Sequence, residues 1–235
     1  MGNCCNNNHS NRITGDNKEG LMLELNHLYN LDCMEGMAQF PDNYFDLAIV
    51  DPEFGIGPVW NKSKKAQFYN HKSNHTNTKK VDSNYIAELQ RISNDQIIWG
   101  WNYICHLLPE TNNIIIWDKD RNVEKTFMSE VELAWSSFNV PAYIIKVVWD
   151  GGRKDKETGI KTIHPFQKPI DLYKKVLNNH AAPHFKIIDT HAGSCSSVIA
   201  FLDYGCQWVA FEIDKDYYEA ASKRIEIHKA QLKLF

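Results

Sequence analysis

The chain has 235 residues, of which 43% are hydrophobic and 12% aromatic, so its length favours one domain with a substantial buried core. The formal net charge of −3 excludes a uniformly basic nucleic-acid coat protein, and any site for a polyanion must therefore be local. The sequence has no C-x-x-C pair, no His/Cys cluster with zinc spacing, no apolar run of about 18 residues and no signal-peptide pattern. We expect a reduced, cytoplasmic protein with no metal and no membrane association.

Residues 1–20 are polar and rich in Asn and Gly, which predicts a disordered leader before a single domain over residues 21–235. From Leu21 onward, short apolar runs alternate with helix-like segments. Strands are predicted at Leu23–Leu31, Phe45–Val50, Asn113–Trp117, Tyr143–Trp149, Lys186–Asp189 and Gln207–Phe211. Helices are predicted at Met34–Phe40, Tyr85–Ile92, Trp101–Leu107, Lys125–Ser136, Pro169–Asn178, Ser196–Tyr204 and Tyr217–Leu234. Strands separated by helices indicate a doubly wound α/β domain with a mostly parallel sheet covered on both faces.

Two segments interrupt this alternation. Residues 61–80 contain six lysines and no acidic residue, and we expect a long mobile loop, at residues 58–82, directly after a strand. A small glycine-rich insertion of mixed charge lies around residues 150–162.

The second predicted strand ends in Asp51-Pro52-Glu53-Phe54. A carboxylate and a nearby main-chain carbonyl can accept both hydrogens of an exocyclic amine, and an aromatic ring can stack on the base that carries the amine. Such a device suits an enzyme that flips a nucleobase out of a helix and acts on its amino group. Four residues alone do not specify that chemistry, but three further stretches point to it.

The predicted strand at 186–189 leads through small residues into an apolar helix that begins near Ser196. The glycine of this turn, Gly193, allows a ligand to approach the backbone, and the helix N-terminus offers unpaired N–H groups. Glu212 closes the next strand about 20 residues further on, where an acidic side chain can bind ribose hydroxyls, which favours a bound adenosyl group. The alternative is an ordinary strand-to-helix turn. The sequence contains neither a P-loop nor a complete G-x-G-x-x-G motif.

These stretches resemble the motifs of the DNA amino-methyltransferases, the N6-adenine and N4-cytosine group that uses S-adenosyl-L-methionine. Residues 189–194 resemble that family's D-x-F-A-G-S-G cofactor loop, and residues 51–54 resemble its D-P-P-Y tetrad. Residues 163–169 resemble its H-P-T-Q-K-P segment, and residues 30–35 resemble the acidic strand end that contacts the adenine of the cofactor. The motif order resembles the circularly permuted β class, and the likeness spans residues 21–228.

The resemblance implies a Rossmann-like methyltransferase fold whose seven-stranded sheet has one antiparallel strand, with a cofactor pocket beside a pocket for the flipped base. The residues that it assigns to the cofactor are Asp32, Cys33, Asp51, Lys168, Pro169, Asp189, Thr190, His191, Ala192, Gly193, Ser194, Glu212 and Ile213. The 189–194 loop would cradle the methionine end, and Glu212 would bind the ribose. Asp32 and Cys33 would contact the adenine, while Lys168 and Pro169 would close the pocket.

The resemblance assigns catalysis to Asp51, Pro52, Glu53 and Phe54, with Asp51 and the main chain near Pro52 holding the target amine and Phe54 stacking on the base. Glu53 stands where the family has proline, and so lacks proline's fixed φ. Our hypothesis is an adenine-N6 methyltransferase, standing alone or serving restriction-modification, since N4-cytosine members more often carry Ser in place of Asp51. The alternatives are an N4-cytosine methyltransferase, a SAM- or DNA-binding protein that has lost catalysis through Glu53, and an RNA methyltransferase.

Double-stranded DNA, the implied partner, requires local positive charge. The residues expected to contact it are Lys62, Lys64, Lys65, Lys72, Lys79, Lys80, Arg153 and Lys154. The alternative for the lysine-rich loop is a solvated segment that contacts nothing. Family members often pair, so a homodimer is one arrangement that the resemblance allows.

Overall fold

A computed structural model describes residues 22–55, 80–121, 129–150 and 153–232. Its strands are β1 (His27–Tyr29), β2 (Phe45–Val50), β3 (Ser93–Trp99), β4 (Ile114–Asp118), β5 (Val131–Ser136), β6 (Tyr143–Lys146), β7 (Lys186–Asp189) and β8 (Gln207–Phe211). Its helices are α1 (Cys33–Met37), α2 (Ser83–Ile92), α3 (Trp101–Ile104), α4 (Ile170–His180), α5 (Ser196–Tyr204) and α6 (Lys215–Leu232). Within these ranges, 3-10 turns occur at Cys105–Leu107 and Asp155–Glu157.

The strands form one sheet in the order β1-β8-β7-β2-β3-β5-β4-β6. All neighbouring pairs are parallel except those of β5, which runs antiparallel to β3 and β4. The mostly parallel sheet is confirmed, but the prediction of seven strands is wrong, because the described residues form eight. The edge strand β6 extends the sheet beyond β4, pairing Ile145 with Trp117.

The sequence pattern does not predict two of these strands. β3 begins at Ser93, directly after the last residue of α2, so no turn residues separate helix from strand. The helix predicted over Lys125–Ser136 is wrong, because residues 131–136 form β5, and residues 122–128 lie outside the described part of the chain. Leu133 and Ala134 favour helix by intrinsic propensity, but pairing with strands on both sides overrides that preference.

Helices cover both faces of the sheet. Along β2, Leu47 and Ile49 pack in one cluster with α4, α5 and α6, whereas Ala48 and Val50 pack in a second cluster with α1 and α2. Because successive side chains of a strand point to opposite faces, this alternation buries both sides of the central strands. The doubly wound architecture is confirmed, and it brings the carboxyl ends of β2, β7 and β8 to one edge, where ligands bind in such sheets. No helix among the described residues is both long and apolar enough to cross a membrane.

Candidate active site

A cleft of about 910 Å³ opens at the carboxyl ends of the central strands. It brings together residues from all four predicted motifs. The predicted site residues in its lining are Asp32, Cys33, Asp51, Pro52, Glu53, Phe54, Lys80, Lys168, Thr190, His191, Ala192, Gly193, Ser194, Glu212 and Ile213. Pro169 and Asp189 lie just outside the lining, since Pro169 caps α4 and Asp189 is a buried residue that ends β7.

The two carboxylate oxygens of Asp51, the first residue after β2, differ in their hydrogen bonding. Its Oδ2 accepts a hydrogen bond from Lys168 Nζ in an ion pair. Its Oδ1 is buried and has no hydrogen-bond partner among the described residues. A buried carboxylate oxygen without a donor is costly, so this atom is a ready acceptor for a donor brought in by a ligand.

Lys168 also pairs with a second carboxylate, that of Glu132 on β5, at 3.2 Å. Glu132 in turn receives Lys119 Nζ at 2.6 Å. All four charged groups line the cleft and alternate in sign, in the order Asp51, Lys168, Glu132, Lys119. The sequence pattern identifies neither Glu132 nor Lys119 as a site residue, since Glu132 lies in a segment that reads as a helix and no local motif marks Lys119.

Burial and pairing act against each other on these groups. Burial alone would lower the pKa of Lys168, but Asp51 and Glu132 outweigh it and raise that pKa. Burial alone would raise the pKa of Glu132, but Lys168 and Lys119 hold it down at about 2. At Asp51, burial raises the pKa, and the charge of Lys168 opposes the rise.

Glu212, at the end of the neighbouring strand β8, holds the loop formed by residues 189–194. Its Oε2 accepts a hydrogen bond from the N–H of Gly193, and its Oε1 accepts one from the N–H of Asp214, both at 2.8 Å. Burial raises the pKa of Glu212 to about 7, against the lowering effect of these two bonds. Gly193 has φ +50°, and a Cβ there would lie 3.4 Å from the ring of His164, so the loop suits glycine.

Asp189 shapes the same loop from within. Its Oδ2 accepts from the hydroxyl of Ser197, and its Oδ1 accepts from the N–H of His191 at 3.0 Å. Burial raises the pKa of Asp189 to about 6. The next residue, Thr190, connects the loop to α2, because its Oγ1 lies 2.6 Å from the hydroxyl of Tyr85. The side chain of Asp189 therefore binds His191 of the loop and Ser197 of α5 rather than facing the open cleft.

Asp32 and Cys33 lie where β1 leads into α1. The Oδ1 of Asp32 accepts from the N–H of Met34 at 2.8 Å and so caps the helix. Cys33 Sγ is 3.9 Å from Nε2 of His191. Burial, reinforced by Asp32, raises the pKa of Cys33 to about 12, which keeps it a neutral thiol.

The aromatic residue of the tetrad, Phe54, stacks on Tyr103 of α3, with ring centroids 5.3 Å apart and planes inclined by 20°. The main-chain oxygen of Glu53 accepts from the N–H of Val81 at 3.2 Å, and Phe54 forms a β-bridge with Lys80. These backbone contacts hold the third and fourth tetrad positions in a chain that lacks the family's second proline. The sequence pattern does not identify Tyr103 as a site residue.

Of the residues expected to contact DNA, Lys80 lines the cleft. Lys62, Lys64, Lys65, Lys72 and Lys79 lie outside the described residues. Arg153 pairs with Asp150 at 3.3 Å, within the insertion, and Lys154 Nζ lies 5.5 Å from the ring centroid of Trp149, which lines the cleft. Neither Arg153 nor Lys154 belongs to the lining.

Comparison with known proteins finds relatives by structure alone. No family model matches the sequence, and no curated protein matches it significantly. The complex of M1.HpyAVI with SAM superposes with a TM-score of 0.54 at 19% identity, covering 84% of this chain and 98% of that one. The PvuII DNA methyltransferase, described as cytosine-N4-specific, gives a TM-score of 0.55 at 13% identity, covering 83% and 84%. TTHA0409 from Thermus thermophilus, a putative DNA modification methylase complexed with S-adenosyl-L-methionine, gives 0.53 at 15% identity, covering 86% and 93%.

The sheet, its two helical layers and these superpositions define the architecture as a Rossmann-like methyltransferase fold. Within it, the cleft combines a glycine loop, an acidic strand end and the tetrad at positions 51–54. The Rossmann-like methyltransferase fold expected from the resemblance is confirmed, with eight strands among the described residues in place of the seven expected, whereas the circular permutation stays a prediction.

Proposed function

We propose that this chain is an S-adenosyl-L-methionine-dependent DNA methyltransferase that modifies the exocyclic amine of a flipped base, with adenine N6 as the target. The observation that carries the proposal is the buried Oδ1 of Asp51, which has no donor among the described residues and lies in the same cleft as the Gly193 loop. A hydrogen-bond acceptor next to a nucleotide-type loop is what amine recognition requires.

The cofactor fits the residues at the strand ends. SAM or S-adenosyl-L-methionine is bound in the M1.HpyAVI and TTHA0409 structures. Each carboxylate oxygen of Glu212 accepts one main-chain N–H, which leaves lone pairs for ribose hydroxyls. Gly193 lies in the lining of the cleft, and because it has no side chain a ligand can approach its backbone closely. When bound, the cofactor supplies an electrophilic methyl group.

The chain's own contribution is to position the amine and increase its nucleophilicity. The lone pair of an exocyclic amine is delocalised into the ring of its base. A hydrogen bond from the amine to Asp51 Oδ1 localises that lone pair and aims it at the methyl group, so most of the rate comes from positioning and electrostatics. The stacked pair of Phe54 and Tyr103 offers an aromatic surface for the base, and stacking of this kind contributes about 1–3 kcal/mol per base.

The choice of adenine rests on Asp51, since the N4-cytosine members of the resembled family more often have Ser at this position. The order of tetrad, Gln-Lys-Pro segment and cofactor loop supports the circularly permuted β class. An N4-cytosine methyltransferase is the second candidate, favoured by the superposition with the PvuII enzyme. The expected partner is double-stranded DNA, with a cytoplasmic location and a homodimer as a further expectation.

The direct test is to sequence modified bases in DNA from cells that express the chain, alongside cells that express Asp51→Asn. We expect N6-methyladenine at a fixed sequence only with the unaltered protein. N4-methylcytosine instead would establish the second candidate. If purified protein that binds the cofactor methylates no DNA but methylates RNA, or methylates neither, the proposal fails.

A further inference from the structure

We infer that Lys168 and Glu132 are positioning residues for Asp51: Lys168 holds Oδ2 so that Oδ1 faces the cleft, and Glu132 shares the lysine charge so that Asp51 remains a strong acceptor. The role in methyl transfer rests on the proposed function, whereas the electrostatic arrangement can be measured without it.

The geometry is a chain of charges built from four separate parts of the sequence. Asp51 follows β2, Lys168 precedes α4, Glu132 lies on β5 and Lys119 follows β4. Lys168 contacts Asp51 Oδ2 and lies 3.2 Å from Glu132 Oε2, while Lys119 lies 2.6 Å from Glu132 Oε1. The two oxygens of Glu132 therefore hold one lysine each.

The asymmetry at Asp51 follows from this arrangement. The side chain of Lys168 is 7% exposed, so its ammonium cannot turn to solvent and must direct its protons to the carboxylates around it. Because Lys168 occupies Oδ2, the only oxygen of Asp51 without a donor among the described residues is Oδ1, and Asp51 belongs to the lining of the cleft. The ion pair thus determines which oxygen the substrate meets.

Glu132 prevents Lys168 from neutralising Asp51 completely. An ammonium bound to a single buried carboxylate would draw that carboxylate's charge to itself and weaken its other oxygen as an acceptor. With two carboxylates sharing Lys168, and Lys119 completing the chain, the four groups carry no net charge. A neutral set also avoids adding an unpaired positive charge beside a positively charged methyl donor.

Other charged or titratable groups also face Asp51. Tyr85 of α2, Tyr173 of α4 and Asp189 at the end of β7 are close enough for the charge of Asp51 to raise their pKa values, in addition to burial. Burial raises the pKa of both tyrosines well above the usual value, so they stay neutral where the enzyme would work. The carboxylate of Asp189 accepts a hydrogen bond from Ser197, so Lys168, Lys119 and Glu132 are the groups whose replacement should change the pKa of Asp51 most.

The positioning role predicts that two substitutions shift the pKa of Asp51 in opposite directions. Lys168 lowers the pKa of Asp51, so Lys168→Met should raise that pKa and move the acid limb of the methyl-transfer rate to higher pH. Glu132 raises the pKa of Asp51, so Glu132→Gln should lower it and move the acid limb to lower pH, while the plateau rate falls. If the two residues had a purely structural role, both variants would lose activity without opposite shifts of the acid limb.

The experiment follows the side-chain carboxyl carbons of aspartate by NMR across pH, with Asp51→Asn to assign the signal, and measures single-turnover methyl transfer on duplex DNA. We expect shifts of about one pH unit in opposite directions, and at least a tenfold fall in rate at pH 7 for Lys168→Met. Glu88→Gln, an equivalent change at an ion pair with Arg91 outside the lining of the cleft, is the matched control and should alter neither readout.

Should Lys168→Met fail to fold, Lys119→Met replaces it, because Lys119 also lowers the pKa of Asp51. Equal signs in the two variants, or an Asp51 titration that neither variant changes, would overturn the inference. If the titrations shift as expected but the unaltered protein methylates no DNA, the electrostatic arrangement stands and the proposed function fails.

Discussion

Arg224 of α6 donates a hydrogen bond from Nη1 to the main-chain oxygen of Ser194, in the 189–194 loop, at 2.8 Å. Its Nη2 pairs with Glu157 at 3.3 Å, and Glu157 accepts the N–H of Ile170 at 2.7 Å. The ion pair of Arg224 with Glu157 therefore links the 189–194 loop to Ile170, the first residue of α4, two positions after Lys168. The insertion that carries Glu157 therefore supports the site through Arg224 and α4. The mixed charge of the insertion does not predict this role.

Replacing Arg224 with methionine should weaken both stability and cofactor binding. Glu157 would remain buried without its charge partner, and breaking a buried pair in this way costs about 3–5 kcal/mol. Urea denaturation and titration calorimetry with S-adenosyl-L-methionine measure the two effects. Arg91→Met is the control, because the pair of Arg91 with Asp42 is more exposed and should contribute about 0–1 kcal/mol. Equal losses in both variants would contradict this supporting role.

Cofactor binding should release a proton near neutral pH. The pKa of Glu212 is raised to about 7, so a large share of this carboxyl is protonated at pH 6 to 7. Ribose hydroxyls that donate to the carboxylate favour its ionised form and lower its pKa, so affinity should increase as pH rises from about 6 to 8. Calorimetry in two buffers of different ionisation enthalpy counts the protons released. In Glu212→Gln this release should vanish, and its persistence would assign the proton to another group.

The same carboxyl makes folding stability without ligand depend on pH. Because the folded-state pKa of Glu212 lies above its ordinary value, the folded chain binds more protons than the unfolded chain between roughly pH 4.5 and 7. Its contribution to the free energy of unfolding therefore declines as pH rises through that window. The difference between the urea midpoints at pH 5 and pH 8 should be smaller in Glu212→Gln than in the unaltered protein. An equal difference in the two proteins would exclude Glu212 as the source of this pH dependence.

Asp51→Asn should abolish methyl transfer and leave cofactor binding within about twofold. An amide in place of the carboxylate removes the charge from the acceptor and its ion pair with Lys168, so the amine loses its activating partner. Single-turnover transfer of a radiolabelled methyl group to duplex DNA measures the first effect, and calorimetry measures the second. Full activity in this variant would refute the catalytic assignment of residues 51–54.

The six lysines between residues 62 and 80 should bind phosphates without reading sequence. Each neutralised phosphate releases counterions, which contributes about −0.9 to the slope of log K against log salt. Replacing all six with glutamine should flatten that slope and leave the methylated sequence unchanged. A slope equal to that of the unaltered protein would mean that the loop does not contact DNA.

The sequence predicted three strands of the parallel part of the sheet and the turn from β7 into α5 well, because these depend on local patterns. Strands β2, β7 and β8 and helix α5 have the bounds read from their apolar runs. Local pattern could not find β3 and β5, which depend on neighbours distant in the chain. It also missed Glu132 and Tyr103, since a charge chain or a ring stack exists only after folding has brought separate segments together.

Phe54 lies so close to Gly100 that a methyl group at residue 100 would sit 2.0 Å from the ring. The backbone at Gly100 also has φ +78°, a conformation that residues other than glycine rarely adopt. Positions 54 and 100 are therefore not independent choices: as long as an aromatic ring occupies the first, glycine is required at the second. Anyone recombining this chain with a distant relative should exchange the two positions together, because a crossover between them would place a ring and a side chain in the same volume.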